Sequence, residues 1–105
     1  MGKYETHTRK DGQFQFHLKS GNGEIIFTSE AYKTKTACKN GINSIRKIVK
    51  YDKLFIRLET KNGKSYFNLI AVNGNILGTS EIYENKASME NGIDSVKKNA
   101  PRAKL

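Results

Sequence analysis

The chain is short of the residues on which many functional classes depend. Its 105 residues include one cysteine, one proline, two histidines and no tryptophan. A single cysteine excludes an intramolecular disulfide framework and any zinc site built from cysteines. No apolar run approaches the roughly 20 residues that span a membrane, and the N-terminus lacks the apolar segment of a secretory signal. We therefore expect a soluble, cytoplasmic protein with no membrane partner.

Acidic residues are also scarce. Ten aspartates and glutamates stand against nineteen lysines and arginines, which gives a net charge of +9. A positive surface attracts acidic proteins and nucleic acids at long range, so both classes of partner are compatible with this composition. A lysine-rich surface also keeps a small protein soluble, and this alternative needs no partner at all.

What the chain does contain is a tandem repeat. The segment Thr-Ser-Glu-Ala-Tyr at 28–32 returns 51 residues later, with one change, at 79–83. The segment Asn-Gly-Ile-Asn-Ser at 40–44 returns at the same offset, again with one change, at 91–95. Two separate segments at one constant spacing indicate a duplication.

The length of the repeat bears on the domain organisation. A unit of about 50 residues buries too little apolar surface to be stable alone, because the buried fraction of a chain falls with its length. We therefore predict one domain over residues 1–105, in which repeat 1 (about 1–51) and repeat 2 (about 52–105) share a core. This arrangement favours a monomer built as a pseudo-dimer over an obligate oligomer.

Each repeat shows the pattern of three strands. In repeat 1, Phe14, Phe16 and Leu18 alternate with polar residues, which is the period of a half-buried strand. By the same reasoning the strands are expected at 4–9, 13–19, 24–28, 54–60, 67–71 and about 76–77. The pairs Asp11-Gly12 and Asn62-Gly63 predict two-residue hairpin turns in which both central residues have positive φ.

A helix is predicted after the third strand of each repeat. Thr34 and Asn85 are suitable N-caps, because their side-chain oxygens can accept a free backbone N–H. Apolar residues then follow at helical spacing; they are Cys38, Ile42, Ile45 and Val49 in the first helix and Met89, Ile93 and Val96 in the second. The second helix is expected to end before Pro101.

Glycine recurs at the edge of both apolar stripes, as Gly41 and Gly92. A glycine inside a helix costs about 1 kcal/mol relative to alanine. Its presence in both copies predicts the close approach of another backbone, either that of the sheet or that of the sister helix.

Taken together, these motifs resemble the YegP-like family of small proteins over essentially the whole chain. The resemblance rests on the Asn-Gly turns, on Thr-Ser-Glu-x-Tyr, and on Asn-Gly-Ile-x-Ser followed by Ile-Arg-Lys at 45–47 and Val-Lys-Lys at 96–98. It implies modules of three strands and a helix with a short C-terminal strand, joined in one sheet with exchanged terminal strands. It implies no established activity, so no catalytic residue is carried over. Repeat 1 departs from the family ending at 48–50, where its helix either continues or leads into a strand.

The predicted fold class is thus α+β. It is a pseudo-twofold tandem of β-β-β-α(-β) modules that share one antiparallel sheet, with both helices packed on it.

The histidines and the cysteine, which could carry catalytic chemistry, are not shared by the two copies. His7 and His17 align with a leucine and an asparagine, so we interpret both as strand-surface residues. Cys38 aligns with a methionine, which favours a buried packing role. Ser29 is duplicated, but a serine nucleophile needs an oriented base. We interpret the Thr-Ser-Glu segment as satisfying backbone groups where the chain leaves the sheet, with Tyr32 and its counterpart packed over it.

These comparisons predict no catalytic, cofactor-binding or metal-binding residues. We therefore expect a small, non-enzymatic binding or interaction module, and an enzyme of unknown type remains the competing class.

A duplicated polar pattern marks the candidate binding surface. Its members recur on the solvent side of both helices; they are Asn40, Ser44, Arg46, Lys47, Asn91, Ser95, Lys97 and Lys98. Such a surface predicts hydrogen bonds and charge contacts to phosphate or to an acidic protein. The alternative function is therefore weak, sequence-independent nucleic-acid binding through these basic helix faces. Duplication by itself, or helix solubility, would also explain the pattern.

Overall fold

Each repeat folds into three strands followed by a helix, as predicted. The computed structural model describes residues 2–105. The elements are β1 (Lys3–Thr8), β2 (Phe14–Lys19), β3 (Ile25–Ser29), α1 (Lys35–Ile48), β4 (Phe55–Glu59), β5 (Ser65–Ile70), β6 (Ile76–Ser80) and α2 (Lys86–Asn99). A single 3-10 turn, Asp52–Leu54, leads from α1 into β4. The first helix therefore ends and its chain enters a strand, which decides between the two alternatives for this junction.

The strands form one antiparallel sheet, which confirms the predicted fold class. The strand order is β1-β2-β3-β6-β5-β4, so the two repeats meet at β3 and β6. Thr28 pairs with Thr79 at this junction. These two residues are counterparts in the repeats, and the pseudo-twofold axis therefore passes through their pair.

None of the helices in residues 2–105 has the length and apolar character required to traverse a lipid bilayer.

Both helices begin at the predicted caps. The Thr34 hydroxyl accepts a hydrogen bond from the backbone N–H of Ala37 at 3.0 Å. The Asn85 side-chain oxygen accepts one from the N–H of Ser88 at 2.9 Å. The apolar stripes then face the sheet, and all seven predicted stripe residues are buried. They pack with the inward side chains of the central strands of each repeat; these include Phe16, Leu18, Phe27, Phe67 and Leu69.

The centre of the sheet is asymmetric. Phe27 of β3 is fully buried, and its counterpart in β6 is Gly78. A Cβ atom on Gly78 would overlap the Phe27 ring and lie 2.5 Å from the Thr28 carbonyl oxygen. One large ring therefore fills space on both sides of the axis, and the other copy must have no side chain there.

The hairpin turns differ from the prediction. Gly12 has a φ of 83°, and no non-glycine residue within 2–105 has positive φ. The Gly12 N–H donates to the Arg9 carbonyl at 3.0 Å, and the Arg9 N–H donates to the Gln13 carbonyl at 2.7 Å. This is the longer hairpin loop, in which a right-handed turn is closed by one left-handed glycine. The prediction of two positive φ values was therefore wrong; the turns at Gly23, Gly63 and Gly74 have the same form.

The helical glycines meet a side chain and not a backbone. A Cβ atom on Gly41 would overlap the Tyr32 hydroxyl and ring, and one on Gly92 would overlap Tyr83. Tyr32 lies beneath the helix because its backbone forms two hydrogen bonds of 2.7 Å with Phe14 of β2. The predicted close approach exists, but its partner was wrong. The bridge to β2 places the tyrosine between sheet and helix.

The C-terminal segment crosses to repeat 1. Lys104 forms a parallel bridge with Lys3, and the Tyr4 N–H donates to the Lys104 carbonyl at 2.6 Å. The short C-terminal strand implied by the family resemblance is therefore a single bridge in this chain, placed at the outer edge of β1.

Candidate binding site

The structure divides the eight residues of the predicted binding surface into two groups. Five are exposed: Asn40, Ser44, Lys47, Asn91 and Lys98. Arg46, Ser95 and Lys97 are half-buried instead of facing solvent. Ser95 accepts two hydrogen bonds from the Asn99 side-chain amide, at 2.8 Å on its carbonyl and 3.1 Å on its hydroxyl.

Arg46 holds the C-terminal segment against repeat 1. Its Nη2 donates to the Ala103 carbonyl at 2.6 Å, and its guanidinium lies 5.2 Å from the centre of the Tyr4 ring. Its buried Nε has no acceptor among residues 2–105. The Tyr4 hydroxyl donates to the Ala100 carbonyl at 2.6 Å. Burial raises the pKa of Tyr4 to about 12, against the opposing effect of Arg46. Arg46 therefore links α1 to the C-terminal segment and to β1.

Lys97 has the equivalent position in repeat 2 and makes a different contact. Its Nζ lies 2.7 Å from Asp52 Oδ1 and 5.5 Å from the centre of the Phe55 ring. Asp52 and Phe55 are the counterparts of Ala103 and Tyr4. Arg57 also binds Asp52, at 3.0 Å. Arg57 and then Lys97 lower the pKa of Asp52 to about 2. The chain thus uses a carboxylate here where repeat 1 uses a backbone carbonyl.

The exposed charge on the two helices is unequal. The α1 segment contains four basic residues and no acidic one, whereas α2 contains Glu90 and Asp94. Within residues 2–105, Lys35 and Lys39 of α1 have no carboxylate within 4.0 Å. The positive surface therefore belongs mainly to α1, whereas the predicted binding surface was shared by both helices.

A cleft separates α1 from the outer strand β1, and we refer to it as the edge cleft. It has a volume of about 480 Å³. Its apolar lining includes Tyr4, Phe14 and Ile42, and Lys35 and Lys39 belong to its helical wall. The Lys35 Nζ lies 5.9 Å from the centre of the Phe14 ring. The cleft thus combines an apolar lining with two uncompensated positive charges.

Cys38 also lines the edge cleft, but its side chain belongs to the core. It is only 2% exposed, and burial raises the pKa of its thiol. This agrees with the predicted packing role, because a thiol with a raised pKa is a poor nucleophile at neutral pH.

The equivalent position in repeat 2 is spanned by an ion pair. Arg57 and Glu90 are the counterparts of Thr6 and Lys39, and their side chains form an ion pair of 2.6 Å from strand to helix. A weaker contact of 4.0 Å joins Lys86 to Glu59 one turn away. Helical periodicity could not reveal the edge cleft, because the cleft lies between a helix and a strand. The available signal was the change from Thr and Lys in repeat 1 to Arg and Glu in repeat 2.

The two histidines stack on the sheet face that carries no helix. Their ring centres are 4.9 Å apart, and His17 Nδ1 lies 3.0 Å from the Thr28 hydroxyl. Burial lowers the pKa of His17, and the neighbouring charge of His7 lowers it further. The strand-surface position agrees with the prediction, but the stacking was not foreseen. Within residues 2–105, no three His, Cys, Asp or Glu side chains are grouped so that they could hold a metal ion.

The duplicated serines satisfy the backbone, as predicted. Ser29 Oγ accepts from the Phe16 N–H at 2.9 Å and donates to the Glu30 carbonyl at 2.8 Å. Ser80 makes the same pair of bonds, with Phe67 at 3.0 Å and with Glu81 at 2.8 Å. Each hydroxyl therefore joins neighbouring strands at the point where the chain leaves the sheet.

Comparison with known proteins agrees with the resemblance noted in the sequence. Residues 10–55 and 60–105 both match the family described as a domain of unknown function, DUF1508. A UPF0339 protein of Acinetobacter baylyi is 50% identical over 102 residues, which is 97% of this chain and 92% of the relative. YegP of Escherichia coli is 45% identical over 98 residues, covering 93% of this chain and 89% of YegP.

Solved structures show the same architecture. The solution NMR structure of yegP, a protein of unknown function from E. coli, gives a TM-score of 0.92 at 43% identity, covering 98% of this chain and 89% of that one. The solution NMR structure of a UPF0339 protein from Shewanella oneidensis gives 0.91 at 41% identity, with 98% and 88% covered. The chain therefore belongs to the UPF0339 family that includes YegP, and it is built from two tandem DUF1508 modules.

Proposed function

We propose that the protein is a non-catalytic binding module that recognises an acidic partner through α1. The observation that carries this proposal is the exposed, uncompensated charge of Lys35, Lys39 and Lys47, none of which has a carboxylate within 4.0 Å among residues 2–105. Exposed lysines without internal partners remain available to a ligand, and complementary charge accelerates its encounter with the protein.

The second helix supports this choice by contrast. In α2 the basic residues Lys86 and Lys97 face Glu59 and Asp52 across distances of 4.0 and 2.7 Å. Two of the three basic residues of α2 therefore already have a carboxylate partner within the molecule. Of the two helices, α1 is therefore the better surface for an external anion.

The non-catalytic part of the proposal rests on the use of the polar groups. The duplicated serines both satisfy backbone groups, and the histidines occur in repeat 1 alone. An acid–base reaction needs a titratable group within hydrogen-bonding reach of its substrate. The serines that both repeats share instead form hydrogen bonds with the backbone.

A binding titration tests the proposal. Fluorescence anisotropy would be measured with a labelled glutamate-rich peptide across a salt series, for the native chain and for Lys35→Gln/Lys39→Gln/Lys47→Gln. We expect binding that weakens with salt and falls on the order of ten-fold in the variant, since exposed charge pairs contribute up to about 1 kcal/mol each.

The matched control is Lys61→Gln/Lys86→Gln/Lys98→Gln, which removes the same charge from repeat 2. An equal loss in the control would show that net charge, and not α1, determines binding. Absence of binding by the native chain at low salt would overturn the proposal. An oligonucleotide in parallel tests the nucleic-acid alternative, for which affinity falls with salt in proportion to the number of phosphates neutralised.

A further inference from the structure

We propose that the edge cleft binds its acidic partner as an extended peptide, which adds to the free edge of β1 as a seventh strand. This inference rests on the proposed function and specifies the kind of ligand and its mode of binding. It is carried by the free edge of β1, by the lining of the cleft, and by the ion pair at the equivalent position in repeat 2.

The outer edge of β1 has unpaired backbone groups. Within residues 2–105, β1 pairs with β2 on one side and ends the sheet, and its outer side meets only the C-terminal segment, at Lys3 and Tyr4. The backbone groups of successive residues point to opposite edges of a strand, so those of every second residue point to the same edge. The Tyr4 N–H points outward, because it donates to Lys104. The backbone groups of Thr6 and Thr8 therefore point outward too, and both residues are exposed beside the cleft.

The C-terminal segment already shows the geometry of an added strand. The Lys104 N–H donates to the Gly2 carbonyl at 3.2 Å, and its carbonyl accepts from Tyr4 at 2.6 Å. Leu105 follows at the margin of the edge cleft and is 62% exposed. A short segment thus already lies beside the beginning of β1, and within residues 2–105 no strand lies beside the outer edge at Thr6 and Thr8.

The cleft defines the side chains of the ligand. Alternate residues of an added strand face the same side, so one side chain would enter the cleft beside Tyr4, Phe14 and Ile42. An apolar side chain fits this lining. Lys35 and Lys39 of the same cleft would meet carboxylates on neighbouring residues. The expected ligand is therefore an extended segment with one apolar residue among aspartates or glutamates, as in recognition by strand addition.

Repeat 2 indicates that there is one site for each chain. Its ion pair between Arg57 and Glu90 joins the outer strand to the helix at the position where repeat 1 has Thr6 and Lys39. A peptide at that edge would have to break this pair and would meet Glu90 in place of a lysine. We therefore expect a stoichiometry of one peptide to one protein.

The test uses peptides that differ only in their backbone. The parent is a labelled, acetylated glutamate-rich peptide with a central leucine. Two isomers carry N-methyl groups on opposite sets of alternate amides, so the charge and side chains are unchanged. Strand addition needs the N–H groups of one set only. We expect one isomer to bind at least on the order of ten-fold more weakly and the other to bind like the parent.

The outcomes separate this inference from the proposed function. If both isomers bind like the parent while Lys35→Gln/Lys39→Gln/Lys47→Gln weakens all three, α1 binds acidic ligands and strand addition is wrong. If the native chain binds none of the peptides, both the proposed function and this inference fail. Amide hydrogen exchange supplies a second readout: protection of Thr6 and Thr8 on binding supports strand addition, and unchanged exchange at both contradicts it.

A variant that closes the cleft provides the final arm. Thr6→Arg/Lys39→Glu installs the ion pair of repeat 2 and lowers the net charge by one. We expect peptide binding to be lost while the amide spectrum stays dispersed. Lys61→Gln lowers the charge equally and should bind like the native chain. Equal affinity in the closed variant and this control would overturn the proposed location.

Discussion

The two repeats have the same backbone plan but use their side chains differently. In repeat 1 the helix carries unpaired lysines beside an open strand edge, whereas in repeat 2 an ion pair between Arg57 and Glu90 spans the equivalent edge. At the helix ends, Arg46 holds a backbone carbonyl and Lys97 holds the carboxylate of Asp52. At these positions repeat 2 therefore pairs its charges internally, whereas α1 of repeat 1 has lysines without a carboxylate partner among residues 2–105. The two copies thus share one fold but differ in how the charges on their surfaces are paired.

The largest expected effect comes from separating the repeats. We predict that residues 1–52 and 53–105, expressed apart, do not fold as monomers, because each half loses the junction between β3 and β6 and has a small core. Amide NMR spectra of each half and of their mixture would be recorded. Two well-dispersed spectra from monomeric halves would show that the repeats do not need each other.

The second prediction concerns the asymmetric centre of the sheet. Phe27→Ala should cost about 3–5 kcal/mol of unfolding free energy, since it removes a fully buried ring. Gly78→Phe should also destabilise by overpacking, because its side chain overlaps Phe27 and the Thr28 carbonyl.

The decisive comparison is the double variant Phe27→Ala/Gly78→Phe, measured by urea unfolding with both single variants. If one ring serves both sides of the axis, the double variant should be more stable than the sum of the single changes predicts. Simple additivity would mean that the two positions do not share space.

A third prediction concerns a feature in which the repeats should behave alike. Gly41→Ala and Gly92→Ala should each destabilise the fold, because overpacking against tyrosine typically costs about 1–3 kcal/mol and helix propensity returns only about 1 kcal/mol. In a Tyr32→Ala background the ring is absent, so Gly41→Ala should become stabilising. Thermal unfolding of the native chain, of Gly41→Ala, of Tyr32→Ala and of their double variant measures this cycle. Gly92→Ala is compared with the native chain. A stabilising Gly41→Ala in the native background would contradict the close contact.

The smallest effect is expected in acid, where the two helix-end contacts should differ. The pKa of Asp52 falls from its ordinary 3.8 to about 2 because the folded chain supplies Arg57 and then Lys97. A carboxyl whose folded pKa is depressed stabilises the fold above its ordinary pKa, and this contribution is lost as pH falls towards the folded value. The contact of Arg46 with a carbonyl has no such titration.

Carboxyl NMR shifts would follow Asp52 directly. We expect a midpoint near 2 in the native chain, as the lowered pKa requires, and a higher midpoint in Lys97→Gln. Arg46→Gln is the matched variant of the other repeat and should leave the Asp52 midpoint unchanged. An unchanged midpoint in Lys97→Gln would remove this lysine from the cluster.

The sequence predicted the fold well because the fold depends on local patterns that occur twice. The caps at Thr34 and Asn85 and the apolar helix stripes were read from spacing alone, and the structure confirms them. The predicted turn type and the predicted partners of the helical glycines were wrong. Both depend on the register of backbone pairing, which the sequence pattern does not specify. The edge cleft was missed because β1 and α1 meet only in three dimensions.

The candidate surface was predicted only in part for a similar reason. Helical periodicity places Arg46 and Lys97 on the outer side of a helix, but it contains no information on the segments that later cover them. Long cationic side chains also fold back over aromatic rings, as both do here. Solvent exposure of the five remaining residues follows from the structure, whereas their role in binding stays a prediction.

The pairing of Phe27 with Gly78 has a consequence for how such a duplicated gene can change. Copying repeat 1 over repeat 2 would bring two phenylalanine rings to a place that holds one, and the reverse copy would leave none. Either event gives a perfectly symmetric chain that packs worse than its asymmetric parent. Selection for packing therefore opposes sequence homogenisation, and it keeps the copies distinct enough for one of them to acquire a surface of its own.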